Sequence, residues 1–292
     1  MKIAVTGAGG FIGRRLVMHL REQAHEVRII TRHELNEPDF SGIECVIHCA
    51  GIAHRSGSNA ASPAEMDAVN HRLVLALAEQ ARMAGVKRFI FVSTINVVAG
   101  HPSPLTTNLS YRPLSDYGHA KALAEQGLLR MQGIEIGIAR PALVYGADAP
   151  GNLRLLLKLC DSAVPLPFGC ANNQRSFVSC NNVVRALEFM ALAGQSQIDR
   201  RIFHLADPVL LSTKQLVTRL RQAMGKANRM VPVPRPLMKA GLTFLGKKAI
   251  YEQLFEDLMI DGSDLEAAGF AYHDGQPDMT AMADAYINKK AG

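Results

Sequence analysis

The stretch Thr6-Gly7-Ala8-Gly9-Gly10-Phe11-Ile12-Gly13 decides the fold of this chain. It follows the apolar run at 2–5 and precedes an apolar-periodic segment that reaches residue 19, so it joins a buried strand to a helix. Glycines at 7, 10 and 13 permit a tight turn, a close approach of the backbone to a pyrophosphate, and close packing of the helix on the strand. The N–H groups that open the helix then face the phosphate charge. The spacing in this context predicts a dinucleotide-binding loop.

The rest of the chain alternates between short apolar runs and helical segments. Strands are predicted at 26–31, 45–50, 88–92, 135–139 and 201–207, and helices at 70–84, 117–131, 153–159 and 181–194. This alternation predicts an α/β protein with a Rossmann-type doubly wound parallel sheet, both faces of which are covered by helices. We expect residues 1–146 to form the dinucleotide-binding domain, with 179–207 rejoining it. Residues 147–178 and 208–292 then form a smaller, mainly helical substrate-binding lobe.

Composition excludes several classes of protein. The 292 residues are 48% hydrophobic and 20% charged, which is enough for a sizeable core. No uncharged apolar run reaches membrane-spanning length and no signal peptide precedes the first strand, which predicts a cytoplasmic protein without a membrane partner. The net charge of +6 is scattered, so nucleic acid is not predicted as a partner. The five cysteines include no C-x-x-C pair, which predicts reduced thiols and no metal site.

The end of the second strand bears on the choice of cofactor. Dinucleotide-binding chains place an acid there for the adenosine ribose, whereas this chain has Thr31-Arg32-His33 and no carboxylate before Glu34. An arginine cannot accept a hydrogen bond from the 2′-hydroxyl, but it pairs well with a 2′-phosphate. The sequence therefore favours NADP over NAD, with Arg32 as the ligand of the phosphate.

A tyrosine and a lysine stand four residues apart in Tyr117-Gly118-His119-Ala120-Lys121. At helical spacing they lie on one face. A phenol with a pKa near 10 needs a lowering of roughly 3 units to exchange protons near neutrality, and a neighbouring ammonium acts in that direction. For an isolated match of this kind, a core tyrosine beside a solvated lysine is the favoured interpretation.

Several motifs in order carry a family resemblance. The sequence TGxxGFIG, then VIHCAG, FVST, Y-x-x-x-K and RPALVYG resembles the extended short-chain dehydrogenase/reductases, over residues 1 to about 207. Within them it is similar to the NAD-dependent epimerase/dehydratase branch, which acts on nucleotide sugars. The stretches FVSTINVV, RPALVYG and PLPFG…NQRSFV most resemble the 4-keto reductases of UDP-linked 4-keto-6-deoxy-N-acetylhexosamines (quinovosamine and fucosamine type) and UDP-sugar 4-epimerases.

The resemblance implies a set of site residues. It assigns Tyr117 as the general acid/base, Lys121 as its activator and ribose ligand, and Thr94 as the hydroxyl that polarises the substrate oxygen, with Ser93 as the runner-up. The predicted cofactor-binding residues are Gly7, Gly10, Phe11, Ile12, Gly13, Arg32, Ala50 and Lys121. The predicted substrate-binding residues are Ser93, Asn96, Asn152 and Arg175, of which Arg175 offers a bidentate fork for a diphosphate. Asn70 is expected to cap a helix or to brace strands.

The residues after Thr94 discriminate between reactions. Dehydratases of the family follow that threonine with an acid pair, and this chain has Ile95-Asn96, which can move no proton. Reduction of a keto sugar nucleotide is the first hypothesis, a UDP-hexose 4-epimerase with retained NAD the second, and a non-catalytic dinucleotide sensor or interaction protein the third. The resemblance further implies a homodimer paired through helices 70–84 and 117–131. Leu73, Leu77 and Ala81 fit that interface or equally fit packing on the sheet.

Overall fold

The computed structural model describes residues 1–52 and 61–291 of the chain. Backbone contacts divide it into two compact units. The first comprises 1–142, 182–205 and 261–271, and the second comprises 143–181, 206–260 and the residues from 272 onward. Residues 53–60, which follow the third strand, lie outside the described residues. Among the helices of the described residues, none has the length and apolar content needed to cross a bilayer.

The strands and helices have the following bounds. The strands are β1 Lys2–Thr6, β2 Glu26–Ile30, β3 Cys45–His48, β4 Arg88–Val92, β5 Glu135–Pro141, β6 Leu143–Tyr145, β7 Phe177–Ser179 and β8 Arg201–Leu205. The helices are α1 Phe11–Glu22, α2 Pro63–Asp67, α3 Leu73–Met83, α4 Asp116–Arg130, α5 Asn152–Asp161, α6 Cys180–Leu192, α7 Gln195–Ile198, α8 Thr213–Ala223, α9 Arg235–Phe244, α10 Lys248–Phe255, α11 Ser263–Ala267 and α12 Gln276–Ala291.

The first unit is built on a six-stranded sheet in the order β2-β1-β3-β4-β5-β8, with every pairing parallel. The strand order reverses between β1 and β3. In open parallel sheets, ligands bind outside the carboxyl ends of the strands at such a reversal. The predicted Rossmann-type sheet is confirmed, and β8 joins it next to β5 as expected from its apolar run.

The core of this unit lies between the sheet and helices α3 and α4. Its fully buried members include Val74, Leu77, Ala81, Phe89, Leu128 and Ile136. Leu77 and Ala81 therefore pack on the sheet, which was one of the two alternatives that the sequence left open. Helices α3 and α4 also approach each other closely, since a Cβ at Gly127 would lie 2.7 Å from the Leu75 side chain.

The helix predicted at 70–84 begins earlier than expected. Pro63 stands at its first position, and the Ser62 hydroxyl accepts a hydrogen bond from the Glu65 N–H in a capping box, which is a strong helix-start signal. A π-helical segment, Ala68–Arg72, joins α2 to α3. Asn70 lies in that segment, so the expectation that it caps a helix is wrong.

The second unit contains a parallel pair of short strands, β6 and β7, with α5, α8, α9, α10 and α12. Arg221 of α8 is buried and binds backbone carbonyls, including those of Ser162 and Val164 at 3.0 and 2.9 Å. The Tyr145 hydroxyl donates to Asp207 at 2.7 Å. In this unit helices and irregular segments predominate over strands.

Segment 261–271 belongs to the first unit, whereas the sequence analysis placed all of 208–292 in the lobe. The Asp261 N–H donates to the carbonyl of Leu105 at 2.9 Å, and the Thr107 hydroxyl donates to Asp264. Helix α11 also packs on β8. These long-range contacts have no signature in the local sequence pattern. The assignment of the two units to cofactor and substrate remains a prediction.

Candidate active site

The glycine loop after β1 packs against the end of β3. Gly7 has φ +69°, and a Cβ there would lie 2.5 Å from the Ala50 nitrogen. A Cβ at Gly13 would lie 2.2 Å from the carbonyl oxygen of Gly7, to which the Gly10 N–H donates at 2.9 Å. Any side chain at positions 7 or 13 collides with backbone, so both glycines are required by the turn and by helix packing.

The start of α1 fits a bound phosphate. No side chain of the described residues caps this helix, so the N–H groups of its first turn are available to a ligand. Gly9 and Gly10 are exposed, and a Cβ at Gly9 would meet nothing within 4 Å, so the loop is open on its outer side. Phe11 and Ile12 follow, half-buried. The bare backbone and the helix dipole together suit the pyrophosphate of a dinucleotide.

The turn after β2 leaves Arg32 exposed. The nearest carboxylate, Glu34, accepts hydrogen bonds from the Thr31 N–H at 2.8 Å and from the Thr31 hydroxyl at 2.6 Å. These bonds lower the pKa of Glu34. The acid that follows Arg32 is thus engaged within its own turn, which is consistent with the predicted role of Arg32 toward a 2′-phosphate.

Lys121 is buried on the inner face of α4, with 3% of its surface exposed. Its Nζ donates to the Val92 carbonyl, at the end of β4, at 2.9 Å and lies 4.4 Å from the centroid of the Phe91 ring. Burial lowers the pKa of Lys121 to about 8, opposed in part by Cys49 and Glu125. The alternative of a solvated surface lysine is therefore excluded.

Tyr117 stands one turn before Lys121, in the first turn of α4. Burial raises the pKa of Tyr117 to about 12. Desolvation of the phenolate thus opposes the lowering that a neighbouring ammonium is expected to cause, and a lowered pKa with a dinucleotide bound stays a prediction. The phenol consequently carries its proton at neutral pH, as a proton donor must.

The two hydroxyls after β4 have different surroundings. Thr94 Oγ1 accepts a hydrogen bond from the Asn96 N–H at 3.3 Å and caps a short 3₁₀ turn, Ile95–Val97. The Ser93 hydroxyl is buried and donates to the Glu125 carboxylate. Because Ser93 is engaged in a core contact, its predicted substrate contact loses support, and Thr94 is the candidate hydroxyl.

The sequence analysis missed a buried ion pair that holds the catalytic helix. Glu125 lies one turn beyond Lys121 on α4 and is fully buried together with Arg140 of β5. The Arg140 guanidinium donates to Glu125 through Nη2 at 2.6 Å and through Nε at 3.0 and 3.1 Å. A charged residue inside the apolar strand 135–141 was the available signal, since buried charges are almost always paired.

Backbone segments approach each other closely at the site around Gly51, Gly118 and Asn70. The two glycines were not predicted as site residues. A Cβ at Gly51 would lie 2.8 Å from Asn70 Oδ1 and 3.4 Å from Lys121 Nζ. A Cβ at Gly118 would lie 2.9 Å from the Asn96 carbonyl oxygen, so this glycine lets the start of α4 approach the turn after Thr94. Asn70 bonds both the N–H and the carbonyl of Ile52 at 3.0 Å and fixes the chain after β3.

Of the remaining predicted substrate residues, Asn96 follows Thr94 closely in the chain, whereas Asn152 and Arg175 belong to the second unit. Asn96 is exposed beside Thr94. Asn152 is exposed at the start of α5, and its Nδ2 donates to Gln253 at 2.8 Å. Arg175 Nη1 donates to the carbonyls of Glu256 at 2.8 Å and Glu252 at 3.3 Å within the second unit. These contacts fit a structural role for Arg175, and the predicted substrate contacts stay predictions.

The glycine loop at the sheet reversal, the buried lysine at the end of β4 and the tyrosine one turn before it define a class of protein. That class is the nicotinamide-dependent oxidoreductases and epimerases of the short-chain dehydrogenase/reductase type. The chain belongs to the NAD dependent epimerase/dehydratase family, whose family model matches residues 3–206. The predictions of an enzyme and of this family are thereby confirmed, and a nicotinamide dinucleotide is its cofactor.

Comparison with known proteins gives further similarities. The chain is 31% identical over 288 residues to a protein named UDP-glucose 4-epimerase from Vibrio cholerae, covering 89% of this chain and 87% of that one. It is 25% identical over 253 residues to a quinoline-1-oxide ketoreductase of Stigmatella aurantiaca, covering 77% and 74% of the two chains. Its fold is similar to that of UDP-glucuronic acid 4-epimerase from Bacillus cereus, solved with NAD, with a TM-score of 0.77, 20% identity and 99% coverage of both chains.

Proposed function

We propose that the protein reduces a UDP-linked 4-keto-6-deoxy sugar of the N-acetylhexosamine type, with NADPH, as a step in surface polysaccharide synthesis. A bound reduced nicotinamide supplies the hydride to the carbonyl carbon. Tyr117 donates its phenolic proton to the carbonyl oxygen, and Thr94 Oγ1 donates a hydrogen bond to the same oxygen. Lys121 holds positive charge next to the reacting groups and stabilises the phenolate until solvent returns the proton.

The observation that carries this proposal is the placement of the groups around the start of α4. Tyr117 stands one turn before the buried Lys121, and the Lys121 Nζ donates to the Val92 carbonyl, two residues before Thr94. A proton donor, a cation and a hydroxyl are the groups that the reduction of a carbonyl requires. Arg32, exposed at the end of β2, supports NADPH as a cofactor that exchanges between turnovers.

A UDP-hexose 4-epimerase with retained NAD is the second candidate. The observation that favours it is the 31% identity to a protein of that name over most of both chains. The same residues serve both reactions, because an epimerase passes hydride and proton in each direction within one site.

The test separates the two candidates by how the cofactor is held. Purified protein is incubated with NADPH and a panel of UDP-linked 4-keto sugars while nicotinamide absorbance is followed. Consumption of NADPH in proportion to product supports the reductase. Protein that purifies with bound NAD and interconverts UDP-glucose and UDP-galactose without added cofactor establishes the epimerase instead. Absence of both activities contradicts the proposed substrate class.

The dimer and the cytoplasmic location stay predictions. The dimer is tested by sedimentation of the purified protein. The core positions Leu77 and Ala81 contribute nothing to such an interface, because they are buried within the first unit.

A further inference from the structure

Helix α9 and the segment that follows it present an unpaired apolar surface. None of the residues of α9 is buried. Leu237 and Phe244 are two turns apart on one face of the helix, with 66% and 91% of their surfaces exposed. Leu245, which follows the helix, and Ile250 of α10 are exposed as well. We call these four residues the α9 surface.

Large aromatic side chains are rarely left this open in a folded protein. Phe244 is more exposed than any other large hydrophobic residue of the described chain. Single exposed apolar residues are ordinary, but several on one helix and its extension mark a contact surface. The inner side of α9, by contrast, is half-buried at Met238 and Leu242, so the helix is seated on the unit and directs its most apolar residues outward.

The charge around the α9 surface is of one sign. The sequence from 208 to 251 contains no Asp or Glu and nine Lys or Arg residues. Three of the lysines, Lys239, Lys247 and Lys248, are exposed within or next to α9. Considered over the whole chain, the charge of +6 is scattered, but it is strongly one-sided in this segment.

The acids that follow the segment neutralise little of it. Lys248 lies 3.4 Å from Glu252, and Arg235 lies 4.0 Å from Glu256. These pairs are solvent-exposed and weak, so their cations remain able to meet another anion. Lys239 Nζ lies 5.8 Å from the centroid of the Tyr251 ring and forms no ion pair with an acid of the described residues.

Exposed Phe and Leu flanked by lysines is the pattern of a helix that lies in the headgroup region of an anionic bilayer. There the apolar side chains enter the acyl boundary while the lysines meet lipid phosphates. The centre of a protein–protein interface is instead depleted in lysine. With 10 residues, α9 is also far too short to span the membrane, so it can only lie along the surface.

We propose that the α9 surface docks the protein peripherally on an anionic phospholipid bilayer, with Leu237, Phe244 and Leu245 inserted and Lys239, Lys247 and Lys248 on lipid phosphates. The proposal stands independently of the proposed function. It departs from the prediction of no membrane partner, which considered spanning segments and net charge but not the distribution of charge along the second unit.

The chain contains no tryptophan, which permits a direct test. In the Phe244→Trp variant a single indole reports on the α9 surface. We expect its emission to shift to the blue on addition of vesicles of phosphatidylcholine with phosphatidylglycerol, and to be quenched by brominated acyl chains. The matched control is Met83→Trp, at a position 75% exposed at the end of α3, which should show neither effect.

Co-sedimentation of the tryptophan-free protein with vesicles measures how much the apolar residues and the lysines each contribute to binding. We expect Leu237→Ser with Phe244→Ser, and separately Lys247→Glu with Lys248→Glu, to weaken binding to anionic vesicles at least tenfold. Lys87→Glu, at an exposed lysine before β4, should bind as the parent does. Raising the salt concentration should release the parent protein. Because all the altered residues are exposed, unchanged thermal unfolding is expected and confirms that the variants fold.

Three results would overturn the proposal. Equal binding to neutral and anionic vesicles would show that the lysines do not contribute to binding. Absence of binding to both kinds of vesicle would show that the α9 surface does not bind membranes. If the Leu237→Ser, Phe244→Ser protein sediments in lipid-free buffer as a smaller oligomer than the parent, the α9 surface is an interface with a second copy of the chain.

Discussion

The buried charge of Lys121, a proposed catalytic residue, destabilises the folded protein. Burial lowers its pKa from 10.5 to about 8, so its charge opposes folding wherever the unfolded chain holds the proton more tightly, below about pH 10.5. At pH 7 the difference between the two pKa values corresponds to a loss of about 3 kcal/mol in the free energy of unfolding.

We therefore predict that Lys121→Met raises the free energy of unfolding by roughly 2 kcal/mol at pH 7, after about 1 kcal/mol is deducted for the unpaired Val92 carbonyl. The gain should fade as pH rises from 8 to 10.5, while turnover is lost at every pH. Urea unfolding at several pH values measures the first effect. Lys87→Met, at an exposed lysine, should change neither stability nor turnover, and a destabilised Lys121→Met protein would show that the lysine is structural.

Tyr117→Phe removes the proposed proton donor and little else. We expect kcat to fall by about 10³-fold, within the range that general acids contribute, because the carbonyl oxygen loses its proposed proton donor. Dinucleotide binding, followed by fluorescence of the reduced nicotinamide, should be unchanged.

The matched control for this change is Tyr286→Phe in α12, which should retain full activity. Unimpaired turnover of the Tyr117→Phe protein would show that this phenol is not the acid.

At the scale of the element, α4 is held by the pair of Glu125 and Arg140. Replacing Glu125 by Gln keeps the volume but leaves the Arg140 guanidinium buried without a counter-charge. We predict a loss of about 3–5 kcal/mol in the free energy of unfolding, the usual result of breaking a buried pair from one side. The midpoint of denaturant unfolding measures it.

An exposed pair on the neighbouring helix provides the comparison. Glu79 and Arg82 meet at 2.6 Å but both are more than a third exposed. Glu79→Gln should therefore cost less than about 1 kcal/mol. Similar losses for Glu125→Gln and Glu79→Gln would show that the burial of the first pair has no energetic consequence.

The start of α4 depends on Gly118. The added methyl of Gly118→Ala would meet the Asn96 carbonyl oxygen and push Tyr117 away from Thr94. We expect kcat to fall at least tenfold, since small displacements of catalytic groups are costly, while the protein still folds. Gly241→Ala on α9 has no neighbour within 4 Å of the new carbon and should be neutral or slightly stabilising. Equal activity of the two variants would contradict the positioning role.

Helices and strands of the first unit were predictable because their signals are local. The apolar runs of β1, β3 and β4 and the glycines after β1 are visible in short windows of sequence. The pairing of Glu125 with Arg140 and the role of Gly118 were not, because each depends on a partner brought close only by the fold. The early start of α2 could have been read from Ser62, Pro63 and Glu65, which form a complete helix-start signal.

At the scale of the whole molecule, two buried histidines make stability depend on pH. Burial lowers the pKa of His48 to about 3 and that of His204 to about 4, against 6.5 for the free group. Each contributes stability that is fully present above pH 6.5 and is lost as pH falls toward the folded-state value. Between pH 7 and pH 5 we expect each of the two histidines to lower the free energy of unfolding by about 2 kcal/mol.

Urea unfolding of the parent and of His48→Gln between pH 7 and pH 5 tests this prediction. Between pH 7 and pH 5 the free energy of unfolding of the variant should change by about 2 kcal/mol less than that of the parent, whatever the absolute stability of the variant. His33 is exposed, so the control variant His33→Gln should show the same pH-dependent change in the free energy of unfolding as the parent. A His48→Gln protein with the same dependence on pH as the parent would show that His48 titrates normally in the folded state.

The arrangement of the sheet was predictable as a class, since alternating strands and helices imply parallel order. The sequence did not predict that segment 261–271 returns to the first unit, because the bond from Asp261 to Leu105 joins positions far apart in the chain. The effect of burial on the pKa of Tyr117 was not predictable from the motif either. Desolvation depends on the depth of a side chain, and a motif gives only its neighbours along the helix.

The Glu125 carboxylate has a consequence for local opening of the structure. It receives bonds from Ser93, directly after β4, and from Arg140 in β5, so the middle of α4 is attached to two adjacent strands. That half of the helix cannot fray without exposing a lone carboxylate and a lone guanidinium in the core. Its backbone amides should thus exchange with solvent only when the central strands separate.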